Sequence, residues 1–271
     1  MTEIRRAYLV CATQRSGSTL LCELLKDTGV AGRPEEYFEA TRETGVPPHP
    51  RDFLDGLPRT GLGIRNNPEP PEAPDYSAVI GVADYGEHLR RTFARGTTPN
   101  GVFGAKLMFN QLEELRAQAG QLPEYAGLDV GALLERLFSG PRYVWVTRRD
   151  TVRQAISMWK ALQTRRWRGS ADEGPRPSPE YRFEGVDHLV RSFTADDEGW
   201  RAFFAQHDIT PLRLVYEDDL ERDPDGTVRR VLEWIGVRPP GHWAAGEPLP
   251  RQADSTSDEW VAAYHRDRAC R

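Results

Sequence analysis

The chain has 271 residues, of which 38% are hydrophobic and 28% charged, and its formal net charge is −5. That balance excludes a disordered class, and no run approaches the roughly 20 apolar residues that a membrane-spanning helix needs. The acidic charge also argues against bulk binding of nucleic acid, which relies on neutralising many phosphates with lysine and arginine.

The expectation from length is a single domain over residues 1–271. The start, MTEIRRAYLV, enters a strand-like segment without an apolar signal region, so the expected location is cytoplasmic. Strand 7–12 (AYLVCA) is followed by the turn TQRSGST and by a helix over 20–28 that Gly29 closes. Residues 41–79 are rich in proline and glycine and predict a surface excursion. Further strands are predicted at 101–107, 142–147 and 212–216. Helices are predicted at 87–95, 111–119, 130–138, 151–165, 187–207 and 227–235. A loop over 168–182 (RGSADEGPRPSP and its continuation) follows an arginine cluster and is placed to serve as a lid over a ligand, or as a simple connector. Strands alternating with helices give the fold class: α/β, a mostly parallel central sheet with helices on its faces. Cys11, Cys22 and Cys270 show no paired spacing, so reduced thiols are expected and no metal knuckle is read.

Two segments carry chemistry. In the first, Thr13-Gln14-Arg15-Ser16-Gly17-Ser18-Thr19 lies between a buried strand and a helix start, where backbone N–H groups and the helix dipole suit an anion. The bland alternative is a capped turn served by Ser18 or Thr19. A magnesium-dependent nucleoside triphosphatase would want G-x-x-x-x-G-K-[ST], and the lysine is missing here. In the second, VTRRDTVRQAISMWKA, a strand ends in Arg148-Arg149 and the next helix carries Ser157. The carboxyl ends of strands are the ligand rim of open α/β sheets, and arginine's planar fork suits a phosphate monoester. Pairing with Asp150 is the competing role for these arginines. Trp159 reads as core, whereas Trp167 lies among arginines.

TQRSGSTLL, TGVAGRPEEYF, TPNGVFGAKLMFNQ, RRDTVRQAISMWKALQTRRWRG and RQADSTSDEWVAAYHRD together, in this order and spacing, resemble the bacterial trehalose 2-sulfotransferase family. The resemblance implies a sulfotransferase fold related to P-loop nucleoside triphosphate hydrolases, with 3′-phosphoadenosine 5′-phosphosulfate (PAPS) as donor and 3′-phosphoadenosine 5′-phosphate (PAP) as product. By it, Arg15, Ser16, Gly17, Ser18 and Thr19 hold the 5′-phosphosulfate, and Arg148 and Ser157 the 3′-phosphate. Arg251 and Gln252 correspond to a second nucleotide-binding loop, where many sulfotransferases show arginine, lysine and glycine instead. Glu36 stands where the family's carboxylate base stands, with Glu35 as the local competitor. A free glutamate titrates near ~4.3 and burial can raise it to roughly 6–7, so a carboxylate base at neutral pH is reasonable. Lys106 corresponds to a lysine beside the sulfuryl group, where a fixed cation stabilises the leaving oxygen. Gln14 would orient the acceptor.

The implied reaction is an in-line displacement at sulfur without a metal. The acceptor is a small hydroxylated molecule: trehalose, a glycolipid or a glycosylated natural product. Arg33 would suit an anionic acceptor better than a neutral disaccharide. The expected partners include neither nucleic acid nor a membrane, and the family contains homodimers. A P-loop-like kinase predicts ATP and magnesium dependence, and a non-catalytic nucleotide-binding module predicts binding without turnover.

Overall fold

A computed structural model describes residues 3–38, 82–164, 178–238, 241, 244 and 255–271. The surface excursion at 41–79, most of the lid segment at 168–182, Trp167, Arg251 and Gln252 lie outside these residues. Within them the sheet comprises β1 (Arg6–Ala12), β2 (Val102–Met108), β3 (Arg142–Thr147) and β4 (Leu212–Val215). Their order is β2-β1-β3-β4 and every pairing is parallel. The α/β class is therefore as expected, and the four strands begin or end within one residue of their predicted bounds.

Both faces of the sheet are covered, as the unbroken apolar strands require. One face, carrying Tyr8, Val10, Val144 and Val146, packs on α1 (Ser18–Asp27) and α7 (Pro224–Trp234). The other, carrying Leu9, Cys11, Tyr143 and Trp145, packs on α2 (Val82–Gly96), α3 (Leu112–Ala119), α4 (Val130–Phe138) and the end of α6 (Phe183–Gln206). A third cluster joins α5 (Thr151–Thr164), the start of α6 and α8 (Ser255–Ala269). Trp159 is fully buried there and its Nε1 donates to Glu180 O at 2.8 Å, so it is a core residue. Gly104 interrupts β2 for a packing reason. A Cβ at that position would lie 2.7 Å from the ring of Tyr8, its partner on β1.

Near the middle of α6 two adjacent carboxylates are withdrawn from water. Burial lifts Asp196 to about 6; burial and then the charge of Asp196 lift Asp197 to about 7, against the pull of Arg201 and Arg213. A carboxyl pKa raised by folding favours the native state while protonated, and that contribution is lost as pH rises from the unfolded value through the folded one. Asp197→Asn is therefore expected to raise the melting temperature, and to raise it more at pH 8 than at pH 5. Melts of both proteins across that range test this; a difference that does not grow with pH would contradict it.

Candidate active site

The loop after β1 is gripped from both sides. Trp200 Nε1 donates to Ala12 O at 3.0 Å, and Gln154 Nε2 donates to Thr13 Oγ1 at 2.8 Å and Gln14 O at 2.6 Å. Two of the following residues, Arg15 at φ 61° and Gly17 at φ 91°, are left-handed, which folds the loop back onto the first turn of α1. Gly17 is the N-cap of α1; among the described residues no side chain caps it and the first turn holds no acid, which leaves the positive end of the helix to an anion. Ser16 is 0% exposed and its Oγ has no partner among the described residues. A buried hydroxyl without a partner is uncommon and fits a site that takes an oxygen-rich ligand.

Gly17 is fixed by its neighbour as well as by its φ. A Cβ would sit 2.3 Å from Tyr216 Cδ2. Gly17→Ala is expected to cost about 1–3 kcal/mol from backbone strain alone and further stability from displacing the Tyr216 ring. Chemical denaturation measures it, and a wild-type midpoint would show that the loop does not hold this conformation.

Arg15, Arg148 and Ser157 form one cluster. Arg15 Nε donates to Ser157 Oγ at 3.0 Å, and Arg148 Nη1 donates to Arg15 O at 3.1 Å. The Arg148 guanidinium lies 4.8 Å from the Tyr216 ring centroid, and its Nε lies 3.5 Å from Glu217 Oε1. The same Glu217 carboxylate accepts the Arg149 amide at 2.9 Å and the Asp150 amide at 3.3 Å, tying the end of β3 to the residues after β4. Burial, and then the nearby charge of Arg148, lower Arg15 to about 10. Two guanidinium groups held close enough to oppose each other's charge in a half-buried recess are the complement of a phosphate. Arg149 is excluded from this recess, because its exposed side chain pairs with Asp218.

On the other side of the loop, Lys106 joins it to Glu36. The Lys106 side chain is 4% exposed; Nζ donates to Thr19 Oγ1 at 2.9 Å and meets Glu36 Oε1 at 2.5 Å, with Glu36 14% exposed. Residues 32–36 run beside the outer edge of β2: Arg33 N donates to Gly96 O, at the end of α2, at 2.8 Å, and Lys106 N of β2 donates to Glu35 O at 2.9 Å. This pairing carries Glu36 to the carboxyl end of β2. The side chain of Glu35 is directed elsewhere, to Lys26 on α1 at 3.2 Å. Arg33 is exposed at that edge, and its carbonyl accepts the Tyr37 hydroxyl at 2.6 Å.

Gln14 Nε2 donates to Asn110 Oδ1 at 3.1 Å, across the tops of β1 and β2. Asn110 sits in a 3₁₀ turn, Phe109–Gln111, fixed on both sides: Phe109 packs on Trp200, and Gln111 Oε1 accepts the Met108 amide at 3.0 Å. The structure thus gathers Gln14, Arg15, Ser16, Gly17, Ser18, Thr19, Glu36, Lys106, Arg148 and Ser157 on one rim. Sequence reasoning passed over Tyr216, Glu217 and Asn110. The first two follow the last strand directly, and position at the carboxyl end of a parallel strand was the available signal.

Comparison with known proteins identifies the family. A family model described as Stf0 sulphotransferase matches residues 7–267. Trehalose 2-sulfotransferase from Mycobacterium tuberculosis is 39% identical over 98% of this chain and 97% of its own. Trehalose 2-sulfotransferase from Mycolicibacterium smegmatis is 38% identical over the same shares. A sulfotransferase domain from the Synechococcus PCC 7002 olefin synthase aligns at TM-score 0.37 and 17% identity, over 97% of this chain and 89% of that one. That last likeness is too distant to bear on the site.

Proposed function

The chain belongs to the Stf0 sulphotransferase family, and from that premise we propose that this sulfotransferase moves the sulfuryl group of PAPS to a hydroxyl of trehalose or a related small carbohydrate, with Glu36 as general base. The observation that carries the reading is Lys106, which bridges Thr19 of the anion loop and Glu36. One buried cation thereby links the loop that would hold the donor to the carboxylate that would deprotonate the acceptor. The relatives named above supply the acceptor class.

In this proposal Arg148 and Ser157 hold the 3′-phosphate, and the loop amides with Ser16, Ser18 and Thr19 hold the 5′-phosphosulfate. Arg15 spans the two, since its backbone belongs to the loop and its guanidinium reaches Ser157. An acceptor oxygen attacks sulfur while its proton passes to Glu36. The bond from sulfur to the bridging oxygen breaks, and PAP leaves with the electron pair. Charge growing on that bridging oxygen is stabilised by Lys106 and the N-terminus of α1, fixed groups that need no reorganisation during the reaction. Glu35 is unsuited to the base role because its carboxylate is directed to Lys26, in the last turn of α1, and not to the anion loop.

Incubation with PAPS and trehalose in the presence of a chelator tests this. Release of PAP in step with a trehalose product heavier by one sulfuryl group is expected. Turnover that requires ATP and magnesium, or PAP release indifferent to any acceptor, would overturn it.

A further inference from the structure

The upper part of α6 overhangs the rim. Trp200 is bonded to Ala12, the last residue of β1, while Phe203 and Phe204 pack lower on the same sheet face against Tyr143 and Trp145. Followed backwards from Trp200, the helix therefore climbs past the carboxyl ends of the strands. Asp196 precedes Trp200 by four residues, on the same helix face and one turn, about 6 Å, further towards the rim. Gly199 fixes the helix over the neighbouring turn, since a Cβ there would lie 2.2 Å from Phe109 Cζ. The next residue of that turn is Asn110, the partner of Gln14.

Asp196 is half-buried and has neither a hydrogen bond nor an ion pair among the described residues. Burial alone pushes it up, to about 6, so at neutral pH it is mostly a carboxylate, and its oxygens meet no donor among the described residues. Its neighbour Asp197 is subject to the charges of Arg201 and Arg213, so the two acids have different surroundings. An ionised, partly dehydrated carboxylate one helical turn beyond the contacts with Ala12 and Phe109, the neighbours of the Gln14–Asn110 amide pair, calls for a ligand rich in hydroxyl donors and free of negative charge.

We infer that Asp196, with Gln14 and Asn110, forms the acceptor subsite, taking hydroxyl groups of a neutral sugar and discriminating against phosphorylated or sulfated ones. The inference rests on the sulfotransferase reading above. Asp196 accepts two sugar hydroxyls, the Gln14–Asn110 pair opens to bind a third, and an anionic acceptor meets like charge. The exposed Arg33 lies outside this subsite, at the outer edge of β2.

Steady-state kinetics with PAPS, using trehalose and trehalose 6-phosphate as probes, tests it on Asp196→Asn and Asn110→Ala. For Asp196→Asn the trehalose KM is expected to rise about tenfold or more, the loss of hydrogen bonds to a charged group, with the PAPS KM unchanged and the preference for trehalose over its 6-phosphate reduced. Asn110→Ala is expected to raise the trehalose KM less and leave the preference intact. A trehalose KM that stays at the wild-type value in Asp196→Asn, or a PAPS KM that rises with it, overturns the assignment. Calorimetric titration of trehalose into the PAP-saturated wild-type protein separates the two readings. No trehalose binding while PAP still raises the melting temperature removes the subsite and leaves the donor reading standing. Failure of PAP to stabilise the protein removes the donor reading, and titration of the wild-type and Asp196→Asn proteins with trehalose alone then decides the subsite.

Discussion

Glu36→Gln is expected to lower kcat by about 10²- to 10⁴-fold, the range that a positioned general base contributes, while the protein binds PAP as before. A sugar hydroxyl is a poor nucleophile and its proton must be taken as it attacks; a glutamine amide fills the same space and accepts no proton. The ion pair with Lys106 at 2.5 Å explains why position and not only acidity is at stake. The amide oxygen of glutamine can still face Lys106 Nζ, so the lysine's bond to Thr19 and the shape of the loop are expected to survive. Stopped-time assays with PAP binding measured alongside are the check. Equal losses of turnover and PAP affinity would mean that Glu36 shapes the donor site, and wild-type turnover would move the base elsewhere.

Arg148→Ala is expected to weaken PAP binding by about 1.5–3 kcal/mol, the range for a hydrogen bond to a charged group, more than it weakens binding of adenosine 5′-phosphate, which lacks the 3′-phosphate. Selectivity between the two nucleotides is the decisive readout, because Arg148 also holds the Arg15 carbonyl and stacks on Tyr216. Its removal therefore costs some loop stability, and that part falls on both ligands alike. Competition binding with the nucleotide pair isolates the remainder. Equal losses for the two would assign Arg148 to the loop's architecture and leave the 3′-phosphate to Ser157 and Arg15.

The sheet was legible in the sequence because each strand is a short apolar run closed by a turn or a charged pair, and parallel strands buried on both faces need no alternation. Helix starts were harder to read. α7 begins at Pro224, three residues before the apolar pattern, through the Asp223 cap and a proline in its first turn. α8 was missed altogether, although Ser255 and Asp258 have the spacing of a helix start ahead of Trp260. The anion loop and the roles proposed for Glu36, Lys106 and Arg148 came from the motif and the family resemblance. What neither contained is tertiary. Tyr216 matters because the end of β4 is brought beside Gly17, and Asp196 because a long helix is pinned to Ala12 by one indole. Nor does sequence spacing place the Arg15 guanidinium with Ser157, 142 residues away.

The most direct test of the donor assignment is thermal denaturation with PAP and chelator, set against ATP with magnesium. A ligand that binds only the native state stabilises it by about 2.7 kcal/mol at a hundredfold excess over its dissociation constant, which amounts to several degrees for a chain of this size. PAP is expected to give that shift with the chelator present and ATP with magnesium much less. A shift confined to ATP with magnesium would contradict the assignment of this rim to a 3′-phosphorylated sulfuryl donor.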